Sequence, residues 1–99
     1  MASNKMRPIH PGEILREEYL APLGMSASAL ATALRVPAPC INDIVRERRA
    51  ITPDTALRLA RYFGGDAQSW LNLQLAYELK LAEAKVGETI RRDIHPRAA

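Results

Sequence analysis

The sequence predicts one all-α domain built from five helices. Apolar residues recur at a spacing near 3.6 along almost the whole chain, which is the period of an amphipathic helix. Proline, glycine and N-cap residues divide this pattern into five segments, and alternation typical of a strand occurs only at residues 89–94. A chain of 99 residues, 47% of them hydrophobic, has enough apolar surface for one core and too few residues for two.

The first two helices are predicted from their start and stop signals. The first begins near Pro11, whose fixed φ suits the first turn of a helix, and ends where Pro22 and Gly24 interrupt the pattern. Ser26 is a good N-cap for the second helix, because its hydroxyl can accept from an unpaired N–H of the first turn. The apolar side chains expected to face inward on these helices are Ile14, Leu15, Tyr19, Leu30, Ala31 and Leu34.

The other three helices follow from the same kinds of signal. After a turn at residues 35–37, a third helix is expected over residues 38–47. Thr52 and Pro53 begin a fourth helix, and Asp66 caps a fifth that is expected to reach about residue 85. The side chains expected to face inward on the third and fourth helices are Ile41, Ile44, Val45, Ala56, Leu57, Leu59, Ala60 and Phe63.

The fifth helix is apolar on more than one side, and a chain this small has little surface left to cover both sides. We therefore predict a homodimer or a complex with a second protein; the alternative is that Tyr77 and some leucines stay exposed. Residues 1–8 are expected to be a flexible segment, residues 9–86 the domain, and residues 87–99 a basic tail or a short strand that pairs across the dimer. The predicted dimerisation residues are Trp70, Leu73, Tyr77, Leu81, Ile90 and Ile94.

Composition and charge narrow the classes of function. The chain has 14 Lys and Arg against 11 Asp and Glu, a net charge of +3, which favours an anionic partner. We expect no membrane span and no export signal, and a single cysteine fits a reducing cytoplasm. His10, His95 and Cys40 are scattered without catalytic or metal-ligand spacing, so we do not expect an enzyme, a cofactor or a metal site. We expect a structural role for His10.

Residues 27–45 fit a helix-turn-helix. This motif needs a small residue where the two helices touch, a compact turn, and branched apolar residues that hold the second helix. Ala31 is the small residue, and Ile41 and Ile44 hold the second helix. Arg35 occupies a turn position where glycine is common because φ is positive there, which costs another residue about 1 kcal/mol. The alternative is an ordinary helical hairpin.

The third helix is then the recognition helix, and its exposed face enters the major groove. Asn42 can pair with adenine, Asp43 can accept from cytosine, and Arg46 can bind guanine or a phosphate. Arg48 and Arg49 are expected to bind phosphates; for each polar residue the alternative is a solvated surface side chain. The full predicted set of DNA-binding residues is Ser26, Ser28, Pro37, Ala38, Pro39, Asn42, Asp43, Arg46, Arg48 and Arg49.

Three further runs of sequence accompany the motif. They are Ile9-His10-Pro11-Gly12-Glu13-Ile14-Leu15, the segment of residues 51–64, and Trp70-Leu71-Asn72-Leu73-Gln74. Together with the helix-turn-helix, over residues 7–95, they closely resemble the HigA antitoxins of the Xre/Cro-like superfamily. The resemblance implies a lambda-repressor-like fold and a cytoplasmic homodimer that represses its own operon at an inverted-repeat operator. It also implies that the protein neutralises a HigB toxin, an mRNA-cleaving ribonuclease.

The chain departs from this family inside the recognition helix. Relatives place polar or basic residues where it has Pro39 and Cys40, and often a glycine where it has Glu47. The operator sequence therefore does not follow from the resemblance. Two alternative functions stay open at this point, a stand-alone Xre-type repressor without a toxin partner and a protein-interaction module that has lost DNA binding.

Overall fold

Residues 7–98 are described by the computed structural model, and they form five helices and no strand. The predicted all-α class is therefore confirmed for this part of the chain. Most of the predicted flexible segment, residues 1–8, lies outside the described residues. The helices are α1 over residues 11–23, α2 at Ala27–Leu34, α3 at Ala38–Val45, α4 at Pro53–Phe63 and α5 at Ala67–Asp93.

Helix α1 begins at Pro11, as predicted, and widens in its middle. It is an α-helix at Pro11–Ile14, a π-helix at Leu15–Leu20 and an α-helix again at Ala21–Leu23. Pro22 has no N–H, and in a regular helix its ring would collide with the carbonyl four residues earlier. The π-helix relieves this conflict, because the Ala21 N–H bonds to the Arg16 carbonyl, five residues back. The helix therefore continues through Pro22, which was predicted to help end it, and stops at Leu23.

Helices α1, α2 and α3 all end in the same left-handed cap. The cap residues are Gly24, Arg35 and Glu47, with φ of 61°, 61° and 63°. In each cap the next N–H bonds to the carbonyl five residues back, as Arg48 does to Asp43 at 2.8 Å, which defines a Schellman motif. The positive φ expected at Arg35 is confirmed. Glu47 adopts the same conformation, which glycine accepts at less cost than any other residue.

The core lies between α1, α2, α3, α4 and the beginning of α5. Leu57 was predicted to face inward, but it is 64% exposed. The buried face of α4 is centred on Ala56 and Leu59, and Leu57 lies about 100° or more around the helix from both. Trp70 closes one side of the core and is 5% exposed. The fully buried side chains at the centre are Leu15, Leu30, Ile41, Ile44 and Leu59.

Two side chains from later helices hold backbone groups of earlier segments. Arg58 donates to the Leu34 carbonyl at 2.8 Å, at the C-terminal end of α2. Gln74 is buried and accepts a hydrogen bond from the Ile51 N–H at 2.9 Å. Backbone groups at helix ends and in loops need such partners when they are removed from water. These bonds hold the end of α2, just before the turn, and the loop that follows α3 on the rest of the domain.

Helix α5 is longer than predicted. Residues 87–93 continue the helix, so the short strand considered for residues 89–94 is wrong. A helix pairs its own backbone groups, whereas a single strand would need a neighbouring edge, and Gly87 costs the helix only about 1 kcal/mol. The side chains of residues 81–98 are exposed in the protomer, and the described chain measures 53 Å along its longest axis.

Candidate nucleic-acid interface

Helices α2 and α3 form the helix-turn-helix that the sequence predicts. Ala31 is 1% exposed, and Ile41 and Ile44 are fully buried beneath α3. The two helices are joined by the turn at residues 35–37 and lie in close contact. Burial of one face of α3 leaves its other face open to solvent, which is the orientation that a recognition helix requires.

The first turn of α3 presents an apolar surface. Pro37 is the N-cap residue, and Pro37, Ala38 and Pro39 are all exposed. Pro39 fits here because the first N–H groups of a helix have no partner within the helix. Cys40 is half-buried, and its Sγ lies 3.9 Å from the Thr55 Oγ1, so it contacts α4.

Asn42 is held by two hydrogen bonds within the helix-turn-helix. Its Nδ2 donates to the Ala38 carbonyl at 2.9 Å and to the Ser28 Oγ at 3.3 Å. The second bond places the beginning of α2 beside the exposed face of α3. Because bidentate pairing with adenine uses the amide nitrogen as a donor, Asn42 must release at least one of these bonds to pair in that way.

Asp43 and the two arginines after α3 form a compact set, which we call the Asp43–arginine cluster. The Arg48 Nη2 lies 3.5 Å from the Asp43 Oδ1, and the Arg49 Nη2 lies 3.4 Å from the Asp43 Oδ2. The Schellman motif brings them together, because it reverses the chain so that Arg48 lies over Asp43. The arginine side chains stay 62% and 47% exposed.

The remaining predicted DNA-binding residues lie along the same side of the molecule. The Ser26 Oγ accepts from the Ala29 N–H at 3.0 Å, so Ser26 is the N-cap of α2. Ser28 is exposed and contacts Asn42. Arg46 is exposed at the C-terminal end of α3. The structure thus brings the beginning of α2, the exposed face of α3 and the arginines after it together on one surface.

Helix α1 supports this surface from behind through Arg16. Its guanidinium donates to the Val45 carbonyl at the end of α3, and Nη2 lies 3.4 Å from the Glu47 carboxylate. Hydrogen bonds to Glu17 and Glu47, together with their charges, raise the pKa of Arg16 above its ordinary value, and partial burial opposes this. A permanent cation at the C-terminal end of α3 is favourable, because the last carbonyls of a helix carry partial negative charge.

His10 and Gly12 bring the beginning of α1 against the same segment. The His10 Nδ1 accepts from the Gly12 N–H at 2.8 Å, and its ring centroid lies 4.8 Å from that of Tyr77 in α5. Burial lowers the pKa of His10, although the charge of Glu47 and a backbone hydrogen bond with Arg49 oppose this. A neutral imidazole is required for Nδ1 to accept. His10 therefore links α1, α5 and the loop that carries Arg49, in keeping with the structural role expected of it.

Gly12 marks a contact that the sequence reasoning missed. A Cβ at this position would lie 1.7 Å from the Ile44 carbonyl oxygen, so the backbones of α1 and α3 touch here. The only local signal was a glycine in the first turn of a helix, where glycine is unfavourable without a packing reason. No local feature of the sequence indicated the contacts of Arg16, because its partners Val45 and Glu47 lie about thirty residues further along the chain.

The predicted dimerisation residues differ in their surroundings, and Ile94 lies just after the last residue of α5. Trp70 is buried in the core of the protomer, Leu73 packs against that core, and Tyr77 contacts His10, so all three are engaged within the protomer. Leu81, Ile90 and Ile94 are 44%, 46% and 65% exposed. Another face of α5 is apolar and uncovered in the protomer. We call it the α5 apolar stripe; it consists of Leu75, Leu79, Val86 and Ile90, spaced so that they lie within about 60° around the helix.

Comparisons with known proteins agree with this geometry. The sequence model of the helix-turn-helix family matches residues 15–70. Virulence-associated protein I of Dichelobacter nodosus is 72% identical over 80 residues, which are 81% of this chain and 74% of that protein. Antitoxin HigA-1 of Vibrio cholerae is 34% identical over 79 residues, 80% of this chain and 74% of that protein. The solved structure of Pseudomonas aeruginosa antitoxin HigA with the higBA promoter is 54% identical, with a TM-score of 0.91, and covers 93% of this chain and 100% of that chain.

The buried and exposed faces of α3, together with the family match, define a helix-turn-helix protein. Within that class the chain belongs to the HigA family of antitoxins. None of the helices in residues 7–98 combines the length and apolar character that a membrane span requires. Within the same range, no group of three or more His, Cys, Asp or Glu side chains is arranged to hold a metal ion.

Proposed function

We propose that this chain is a dimeric antitoxin that binds operator DNA through α3, represses its own operon and neutralises a HigB-like toxin. The observation that carries the proposal is the outward face of α3, where Asn42 and Asp43 lie beside three exposed arginines. A relative that is 54% identical was solved with the higBA promoter, which supports operator binding by this chain. The protein acts by binding and not by catalysis, and its work on an operon takes place in the cytoplasm.

The proposed docking puts α3 in the major groove, with its first turns toward the base edges. Asn42 is assigned to adenine, Asp43 to the amino group of cytosine, and Arg46 to guanine or a phosphate. Arg48 and Arg49 bind phosphates on one side of the groove. The free N–H groups at the beginning of α2, near Ser28, bind a phosphate on the other side, because a helix N-terminus attracts anions.

The proposed dimer forms through the α5 apolar stripe. A contiguous apolar face on a helix that extends beyond its own domain is typical of a protein interface. Leu75, Leu79 and Ile90 are 64%, 56% and 46% exposed in the protomer, and pairing with a second α5 would remove them from water. Two recognition helices related by a two-fold axis require an inverted repeat, with half-sites about one turn of DNA apart or a multiple of it.

Replacing Arg48 and Arg49 with alanine should weaken binding to operator and random DNA alike. The slope of log Kd against log salt should fall by about 4 for the dimer, because each of the two protomers loses two phosphate contacts and their released counterions. Fluorescence anisotropy over a salt series measures both quantities. The matched control is the alanine double variant of Arg91 and Arg92, which removes the same charge from the last turn of α5. An equal effect of the control would mean that net charge alone is responsible.

Asn42→Ala provides the complementary result for base recognition. The substitution should weaken the free energy of operator binding by roughly 1–3 kcal/mol, through one base pair of each half-site, and leave the affinity for random DNA unchanged. The measurement is the affinity for a set of operators with single base-pair changes. Equal loss on operator and random DNA would remove Asn42 from base recognition and leave it the structural bonds to Ala38 and Ser28.

The proposal that the protein binds a toxin is tested by isolating the tagged protein from its native host and measuring the masses of the bound species by native mass spectrometry. The expected result is a stoichiometric complex with a small basic protein whose expression alone arrests growth. Recovery of the homodimer without such a partner would contradict the antitoxin assignment. In that case the protein would act as a stand-alone repressor that uses the same DNA surface.

A further inference from the structure

We infer that Asp43 determines DNA specificity by an exchange of partners: it gives up Arg48 and Arg49 to phosphates and accepts a cytosine amino group in return. The inference rests on the proposed function and adds to it a requirement on the operator. DNA that offers cytosine at the right position satisfies all three side chains. DNA that lacks it leaves the Asp43 carboxylate unpaired against the acceptor atoms of the groove.

The first step of the argument is the geometry of the Asp43–arginine cluster. Each carboxylate oxygen of Asp43 holds a different arginine, at 3.5 Å for Arg48 and 3.4 Å for Arg49. The carboxylate thus occupies the position between two guanidinium groups that a phosphate takes in a nucleic-acid complex. The cluster forms on a fixed backbone, because Arg48 donates to the Asp43 carbonyl at 2.8 Å and both residues belong to the α3 cap.

The second step is the competition between Asp43 and phosphate for the two arginines. Both arginines are about half-exposed or more, so the DNA backbone can reach them without a change in the fold. Every DNA sequence offers the same phosphates. The protein therefore loses the same two ion pairs on every sequence when the arginines bind to phosphates. The competition alone weakens all binding and does not discriminate between sequences.

The third step is the fate of the released carboxylate, which differs between sequences. Asp43 lies on the outward side of α3, next to Asn42, and is only 32% exposed. In the major groove, cytosine presents an amino donor without a neighbouring acceptor, adenine presents its amino donor beside the N7 acceptor, and guanine and thymine present acceptors that repel a carboxylate. Cytosine therefore replaces the lost ion pairs best, and guanine or thymine leaves a partly desolvated charge without a partner. This difference makes Asp43 a specificity-determining residue.

The test compares wild type, Asp43→Asn and the control Asp54→Asn on operator and random DNA. Asp54 also pairs with an exposed arginine, Arg58 at 2.6 Å, but on α4. Asp43→Asn is expected to bind random DNA roughly three- to tenfold more tightly, the range that two exposed ion pairs can account for, with a steeper salt dependence. Its affinity for the operator should stay the same or fall, so the specificity ratio decreases. Asp54→Asn should leave the ratio unchanged.

A second arm identifies the base. In wild type, replacing one C·G pair of each half-site by T·A should weaken binding, and the same replacement should not weaken binding of Asp43→Asn, whose amide can pair with adenine as well as accept from cytosine. The inference is overturned if Asp43→Asn changes operator and random affinity by the same factor, or if no C·G pair shows this coupling. These outcomes differ from failure of the proposed function, in which wild type itself shows no preference for the operator. Thermal unfolding of each variant separates a loss of folding from a loss of recognition.

Discussion

Gly12→Ala should destabilise the protein by about 3 kcal/mol or more, the largest effect that we expect from any change of a single methyl group here. The added Cβ would lie 1.7 Å from the Ile44 carbonyl oxygen and 2.7 Å from the carbonyl carbon. Both atoms belong to the backbone of α3, so no side chain can rotate to make room. Either α1 must move away from α3, or the C-terminal end of α3 must shift with the arginines that follow it.

The measurement is the free energy of unfolding in urea, with operator affinity as the second readout. Gly87→Ala is the matched control, because a Cβ there would meet only side-chain atoms, at 3.5 Å and 3.8 Å. In the interior of α5 this change should stabilise the protein by about 0.5–1 kcal/mol. Similar stability of the Gly12→Ala variant and wild type would show that the close approach of α1 and α3 is not required.

The helix starts could be predicted because their signals are local. Ser26, Thr52 and Asp66 each accept a hydrogen bond from a backbone N–H three residues later, as their sequence context indicated. The buried face of the helix-turn-helix was also predictable, because Ala31 and Ile41 follow the helical period.

The contacts that hold α3 in place could not be predicted in the same way. Arg16 reaches the Val45 carbonyl and Gly12 touches Ile44, and both pairs join residues about thirty positions apart. No periodic pattern connects such positions, since their meeting depends on how two helices pack. The path of α1 through Pro22 is a further case, because a wider helical turn absorbed a residue that usually ends a helix.

At the DNA surface, the kinds of residue were predictable but their partners in the free protein were not. The sequence indicated Asn42 and Asp43 on the outward face, and the structure adds that the first is bonded to Ala38 and Ser28. The second is paired with two arginines because Glu47 adopts a left-handed conformation that turns the chain back. For Asp43, the choice of partners thus depends on the geometry of the helix end as well as on residue type.

For α5 as well, the sequence predicted the apolar character but not the side that packs on the domain. The sequence indicated that the helix is apolar on more than one side, but period alone does not say which side the domain uses. Packing of Trp70 against Tyr19, with ring centroids 5.3 Å apart, settles the inward side. The α5 apolar stripe is consequently the side left for a partner, and this moves the centre of the proposed dimer interface to Leu75 and Leu79.

Leu79→Glu should convert the dimer to a monomer and reduce operator affinity by about 100-fold or more. Leu79 is 56% exposed in the protomer, so its replacement leaves the fold intact, while a carboxylate at a two-fold interface would face its own copy without a partner. A monomer must bind each half-site separately and loses the effective concentration that links the two α3 helices. Analytical ultracentrifugation and operator binding measure the two effects.

Leu57→Glu is the matched control for this change. Leu57 is 64% exposed, so the same substitution alters a surface leucine of similar accessibility, but on α4 and away from the α5 apolar stripe. It should leave both the dimer and operator affinity unchanged. A Leu79→Glu variant that remains dimeric would exclude the stripe as the interface, whereas a monomer that binds the operator as tightly as wild type would show that DNA recognition does not depend on dimerisation. The joint loss of dimer and operator binding, absent in the control, is the result that connects the long α5 helix to the spacing of the two recognition helices.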